Sequence, residues 1–174
     1  MGKPPVAPYP PDLDHDEDAP PVTEPGDLVD VVARDLDWAN LSLRGFKARR
    51  VEFHRCRLTG SELAEATLSD VSFVECRLDL VGLRVAKLER VIFRDCRMEE
   101  CDFADAALAD VLFEHCELRR GSVGGARLKR VELRGCGLAG LDGVESLRGA
   151  RMPWNDVLDN APLFAAALGV EIVD

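Results

Sequence analysis

The chain has 174 residues, enough for one domain with a substantial core, and a formal net charge of −10. Most of that charge lies in residues 1–27, where seven acids face one lysine; the other 147 residues carry 25 acids and 21 bases. An acidic balance without clustered Lys and Arg argues against direct nucleic-acid binding, which needs cations set against phosphates. No apolar run approaches membrane-span length, and the N-terminus lacks a basic-then-apolar signal pattern, so no membrane role is expected and the cytoplasm is the expected location.

Residues 1–27 hold eight of the ten prolines and almost no large apolar side chains. Such a composition buries too little surface to offset ordering entropy, and a disordered, solvated leader is expected. Residues 31–50 then pair apolar positions as Val31/Ala33, Leu36/Trp38, Leu41/Leu43 and Phe46/Ala48. Large side chains occupy the first place of several pairs, where later pairs have small ones. Residues 28–50 are therefore expected to form a distorted coil that caps the N-terminal end.

From Val51 to Leu138 the pairing is strict. With the central residue of each quintet called i, apolar side chains fall at i and i−2, from Val51/Phe53, Cys56/Leu58, Ser61/Leu63 and Ala66/Leu68 to Val131/Leu133 and Cys136/Leu138. A second period of twenty overlies the first. Val recurs at 51, 71, 91, 111 and 131, Cys at 56, 76, 96, 116 and 136, and Phe at 53, 73, 93 and 113. Neither the 3.6-residue period of a helix nor the two-residue alternation of a strand yields a period of five. Four similar quintets per twenty residues imply a coil with four short sides, stacked at roughly 4.8 Å per coil.

The quintets CRLTG, SELAE, ATLSD, CRLDL, CDFAD and AALAD closely resemble the pentapeptide-repeat family, whose consensus reads A-(D/N)-L-x-x. The resemblance implies an all-β solenoid, a right-handed quadrilateral β-helix spanning residues 51–142. Beyond Gly143 the quintets stop, and residues 143–174 are expected to form a helical cap. Asn160-Ala161-Pro162 marks a helix start, Gly169 a stop, and Leu163, Phe164, Ala167 and Leu168 a buried stripe, with a short helix near residues 155–159. The bland role is to cover the last coil's unpaired backbone; the family also implies pairing of two copies as a homodimer through such a helix.

The five cysteines at twenty-residue spacing suggest a metal or redox array, but each holds the small inward site, where a free thiol serves as a small hydrophobe. Parallel stacked vectors suit neither a disulfide nor converging zinc ligands. His15, His54 and His115 adjoin no nucleophile, and Gly121-Ser122-Val123-Gly124-Gly125 lacks a phosphate-loop pattern. No cofactor, metal site or catalytic residue is expected. Function is expected on the outward positions, as a protein-interaction scaffold. Some family members mimic DNA and bind DNA gyrase, conferring fluoroquinolone or toxin resistance, so a type II topoisomerase is the alternative partner; an enzyme is the least supported reading. The candidate surface joins two outward apolar residues, Ile92 and Leu112, with the acids Asp95, Glu99, Glu100, Asp102 and Asp105. Against an anionic stripe stand Arg57, Arg77 and Arg97, which should stack on one side, and the basic coil 111–130.

Overall fold

The computed structural model describes residues 3–12 and 26–173. Six parallel strands follow one another in chain order within one sheet: β1 (Leu28–Arg34), β2 (Lys47–His54), β3 (Thr67–Val74), β4 (Lys87–Arg94), β5 (Ala107–Glu114) and β6 (Arg127–Arg134). Register is a constant twenty residues, so that Val51 pairs with Val71, Val91 with Val111, and Phe93 with Phe113. Each strand spans two sides of a coil; the other two sides pair through single bridges, such as Arg57 with Arg77 and Glu62 with Gly82. The fold is the expected four-sided β-solenoid.

Corner geometry explains the period of five. Every fifth residue from Asp30 to Gly140 has positive φ, and most of these residues are not glycine. A left-handed residue at the end of each quintet turns the chain by one side. On the bridged sides the corner closes as a turn: Ser61 N–H donates to Leu58 O at 3.0 Å and Ala66 N–H to Leu63 O at 3.1 Å, with Gly60 and Glu65 at φ 72° and 62°. Positive φ at the third position is the type II signature.

Inside, equal register stacks like on like. Val51, Val71, Val91 and Val111 are fully buried, and the rings of Phe53, Phe73, Phe93 and Phe113 lie parallel at 4.8–5.0 Å. Phe103 meets Phe93 and Phe113 edge-on from the opposite side. Burying a side chain of this kind contributes about 1.5–3 kcal/mol, so the ladder is a main source of stability.

The first coil departs from expectation. Its backbone is not distorted, because β1 pairs with β2 in the same register, Val31 against Val51 and Ala33 against Phe53. The irregularity is confined to side-chain size. Ala33 occupies the phenylalanine ladder, and Trp38 fills the vacated space, edge-on to Phe53 and Phe46 at 6.2 and 6.0 Å. Volume is exchanged between neighbouring sides, which a packed core tolerates better than a net change.

The leader also departs from expectation where it is described: residues 3–12 lie extended along the outside of the solenoid, held by backbone hydrogen bonds to Asp30, Asp70 and Asp110. Residues 13–25, His15 among them, lie outside the described residues.

At the other end, a 3-10 turn (Val144–Leu147) precedes α1 (Trp154–Asp159) and α2 (Ala161–Ala167). Arg151 bridges to Glu132, adding one residue of pairing beyond β6, and Gly143 sits so close to Gly124 that any Cβ would clash. The expected buried stripe is only half realised. Leu163 and Phe164 pack against the core, whereas Ala167 and Leu168, at and just beyond the end of α2, stay exposed along a cleft shared with Val144, Leu147 and Phe164.

Candidate functional site

The cysteine ladder lines the core. All six cysteines are free and buried. The Cys76 thiol donates to Phe53 O at 3.4 Å, and Cys96 and Cys116 repeat that bond one coil on at the same distance, to Phe73 O and Phe93 O. Ser61 takes the same role toward Trp38 O on the next side. Burial raises the Cys101 thiol to about 12, far from the reactive range. Among the described residues no group of His, Cys, Asp and Glu side chains has the arrangement of a metal site. His54 Nε2, at the end of β2, lies 2.9 Å from Glu52 Oε2, and His115 Nδ1, at a corner, lies 3.4 Å from Asp95 Oδ1.

Outside, residues twenty apart form columns running along the axis. Arg57, Arg77 and Arg97 do stack, each bridged to the next, and Arg57 and Arg97 are paired with Asp37 and Asp79. The expected acidic surface is largely neutralised by neighbouring coils. Asp102 pairs with Arg84, and Glu99 and Glu100 share Arg120; Asp95 sits beside the His115 ring and Asp105 lies under the Gly125 corner. Ile92 and Leu112 are register neighbours as expected, but both are half-buried, lying between Ser72 and Glu132 in the same column.

One column was missed in the sequence. At one corner Asp30, Arg50, Asp70, Arg90, Asp110 and Arg130 alternate in sign, and each arginine grips the preceding aspartate with two nitrogens. Every member has positive φ. Asp70 and Asp110 are only 6% and 5% exposed. Hydrogen bonding to Arg50, then to the Asp12 N–H, lowers Asp30 to about 2; Arg90 and Arg130, with the leader's N–H groups, lower Asp70 and Asp110.

The leader completes these carboxylates. Asp12 N–H donates to Asp30 at 2.9 Å, Tyr9 N–H to Asp70 at 3.1 Å, and Val6 N–H to Asp110 at 3.0 Å, so the leader runs opposite to the direction of coiling. The Arg90 guanidinium lies 5.7 Å from the centre of the Tyr9 ring, within cation–π range. Two signals in the sequence carry this arrangement: the 40-residue alternation of Asp and Arg, and the triplets Pro4-Pro5-Val6, Ala7-Pro8-Tyr9 and Pro10-Pro11-Asp12, each with proline in the middle and a free N–H last.

The C-terminal end is the most apolar exposed region. Trp154 is 71% and Leu168 80% exposed, with Leu158, Val170, Ile172 and Val173 also outward, and neither helix buries a residue completely. No helix among the described residues is long and apolar enough to cross a membrane.

Among solved structures, the chain is similar to a trypsin-treated form of QnrB1, a plasmid-mediated fluoroquinolone resistance protein, at 14% identity and TM-score 0.43, covering 82% of this chain and 100% of that one. It is similar to HetL of the cyanobacterium Nostoc, a pentapeptide repeat protein involved in heterocyst differentiation regulation, at 20% identity and TM-score 0.31, over 75% of this chain and 68% of that one. A pentapeptide repeat protein of the Arabidopsis thaliana thylakoid lumen matches at 16% identity and TM-score 0.37, over 74% and 75%. Among curated proteins none matches significantly. The model of the pentapeptide repeat region matches residues 46–122 and 83–142, more than half of the chain, and with its five-residue corners and twenty-residue coils this protein belongs to the pentapeptide-repeat family.

Proposed function

We propose that the protein is a non-catalytic interaction module of the cytoplasm that pairs with a second copy through its C-terminal end. The observation that carries this reading is the set of exposed apolar side chains at the C-terminal end, Trp154 and Leu158 on α1 and Leu168, Val170 and Ile172 beyond the end of α2. An apolar end of this kind is a liability for a lone chain and an asset in a self-complementary two-fold contact. Six free thiols suit a reducing compartment. The test is sedimentation velocity of the wild type against Leu168→Asp and Trp154→Asp. A dimer that becomes monomeric on either substitution supports the reading, and a wild-type monomer throughout the micromolar range ends it.

A second reading is a DNA mimic that binds a type II topoisomerase and confers fluoroquinolone or toxin tolerance. It is favoured by the acid-rich coil of residues 91–110, with Asp95, Glu99, Glu100, Asp102 and Asp105 near one another. Weighing against it are the Arg84 and Arg120 partners of Asp102, Glu99 and Glu100, since a paired carboxylate projects little of the field of a phosphate row. A gyrase supercoiling assay with and without a fluoroquinolone decides it. Neither inhibition nor protection at micromolar protein rejects this partner.

A further inference from the structure

We propose that the corner column Asp30–Arg50–Asp70–Arg90–Asp110–Arg130 is a binding track for a proline-rich peptide in the polyproline II conformation, occupied in cis by the leader and open in trans to a proline-rich segment of a partner protein. This deepens the interaction reading but uses a different face from the C-terminal end, so the two can fail separately.

Periodicity is the first argument. The N–H groups of residues 6, 9 and 12 all point to one column. In a β-strand, residues three apart face opposite sides; in polyproline II, with three residues per turn, they face the same side. The bound segment therefore has threefold symmetry, as its prolines at 5, 8 and 11 favour.

Length is the second. Three residues of polyproline II advance about 9.3 Å. The Phe rings set the coil spacing at 4.8–5.0 Å, so two coils rise just under 10 Å, and aspartate recurs every second coil. One triplet thus spans one Asp-to-Asp step, and the match is kept over three aspartates. A track with aspartate in every coil would offer acceptors twice as often as the peptide has donors. The intervening arginines solve this: each orients the aspartate before it, and Arg90 also presents a cationic face to the aromatic ring of the middle triplet.

The third argument is that the other corners lack the pattern. Their columns read Asp35, Arg55, Glu75, Asp95, His115, Gly135; Asn40, Gly60, Leu80, Glu100, Arg120, Gly140; and Gly45, Glu65, Val85, Asp105, Gly125. The first alternates only over Asp35, Arg55 and Glu75, with Arg55 gripping Asp35, and breaks at Asp95; none keeps the alternation along the solenoid. The recognised ligand is therefore an extended peptide of three x-Pro-z triplets, with a free N–H on each z and an aromatic residue preferred in the second.

A tethered leader competes at an effective concentration near the millimolar range, so a free peptide needs the leader undocked. The full-length chain carrying Val6→Pro and Tyr9→Pro removes two of the three donors without touching the core. A fluorescein-labelled peptide of sequence KPPVAPYPPD, titrated by anisotropy, is expected to bind this variant at least about tenfold more tightly than wild type, a difference of ~1.4 kcal/mol. Adding Asp70→Gly and Asp110→Gly should abolish the gain; glycine already serves at Gly60 and Gly125, so these corners should fold. Inserting one alanine between the Val6 and Tyr9 positions of the peptide should weaken binding by a similar factor, because it breaks the triplet step. Equal binding of in-register and shifted peptides, or no binding to the undocked variant up to about 1 mM, overturns the proposal. Independently, the chain has a single tyrosine, so 3-fluorotyrosine labelling yields one fluorine resonance. In the wild type it should differ from the free peptide's, and Asp70→Gly should return it there; a wild-type signal already at the free position overturns the docking.

Discussion

At Val85 the corner backbone and the side chain are in conflict. Its φ is 59°, a region that L-residues enter at a cost of about 1–2 kcal/mol and that a β-branched residue tolerates worst. Asp, Asn and Gly fill many of the other corners, and their short or missing side chains suit this backbone. Val85→Asn is therefore expected to stabilise the protein by about 1 kcal/mol, read as a rise in thermal midpoint of a few degrees. Val85 is half exposed and outside the core, so no packing is lost. The buried thiols allow a second expectation. Cys101 is pushed up to about 12 by burial, and the ladder thiols lie inside closed coils. A thiol-specific disulfide reagent should leave all six cysteines unmodified in the native protein and titrate six on denaturation; rapid native labelling of even one would contradict the core assignment.

Strands and columns act as units, and their predictions follow from stacking. Phe93 lies between Phe73 and Phe113 and is met edge-on by Phe103, so Phe93→Ala removes contacts on three sides. It should cost about 3–5 kcal/mol, measured by denaturant unfolding, and more than any single substitution on the outward face. The Asp/Arg column sets a pH dependence for the leader. Asp30 is held near 2 in the folded chain and Asp70 and Asp110 are also lowered, so their contribution is present above the usual carboxylate range and lost as pH falls below it, for Asp30 on approaching 2. The amide protons of Val6, Tyr9 and Asp12 should lose their exchange protection in that window, after normalising to intrinsic rates, while core amides keep theirs longer. The quintets and strand positions were legible in the sequence because inward residues repeat under one local rule. The leader contact was not read, since its two periods, three in one segment and forty in the other, share no residue types. Only their equal rise in ångströms relates them, and a rise belongs to the folded object.

For the molecule as a whole, each strand packs on its neighbours and the leader reaches across several coils, so stability is close to a sum along the axis and the ends open first. The final coil is glycine-rich, with Gly135, Gly137 and Gly140, and its cover rests on Leu147, Leu163 and Phe164, all partly buried. Hydrogen exchange should be slowest over residues 51–110 and quicken toward 143; uniform protection along the rod would contradict a one-dimensional assembly. What the sequence by itself determined was the solenoid and its twenty-residue coil, because those follow from a periodic pattern of size and polarity along a single chain. Tertiary structure alone decided which outward charges are paired. That depends on side chains twenty residues apart, and at one corner on a leader up to a hundred residues away, brought within hydrogen-bond distance by the stacking of coils.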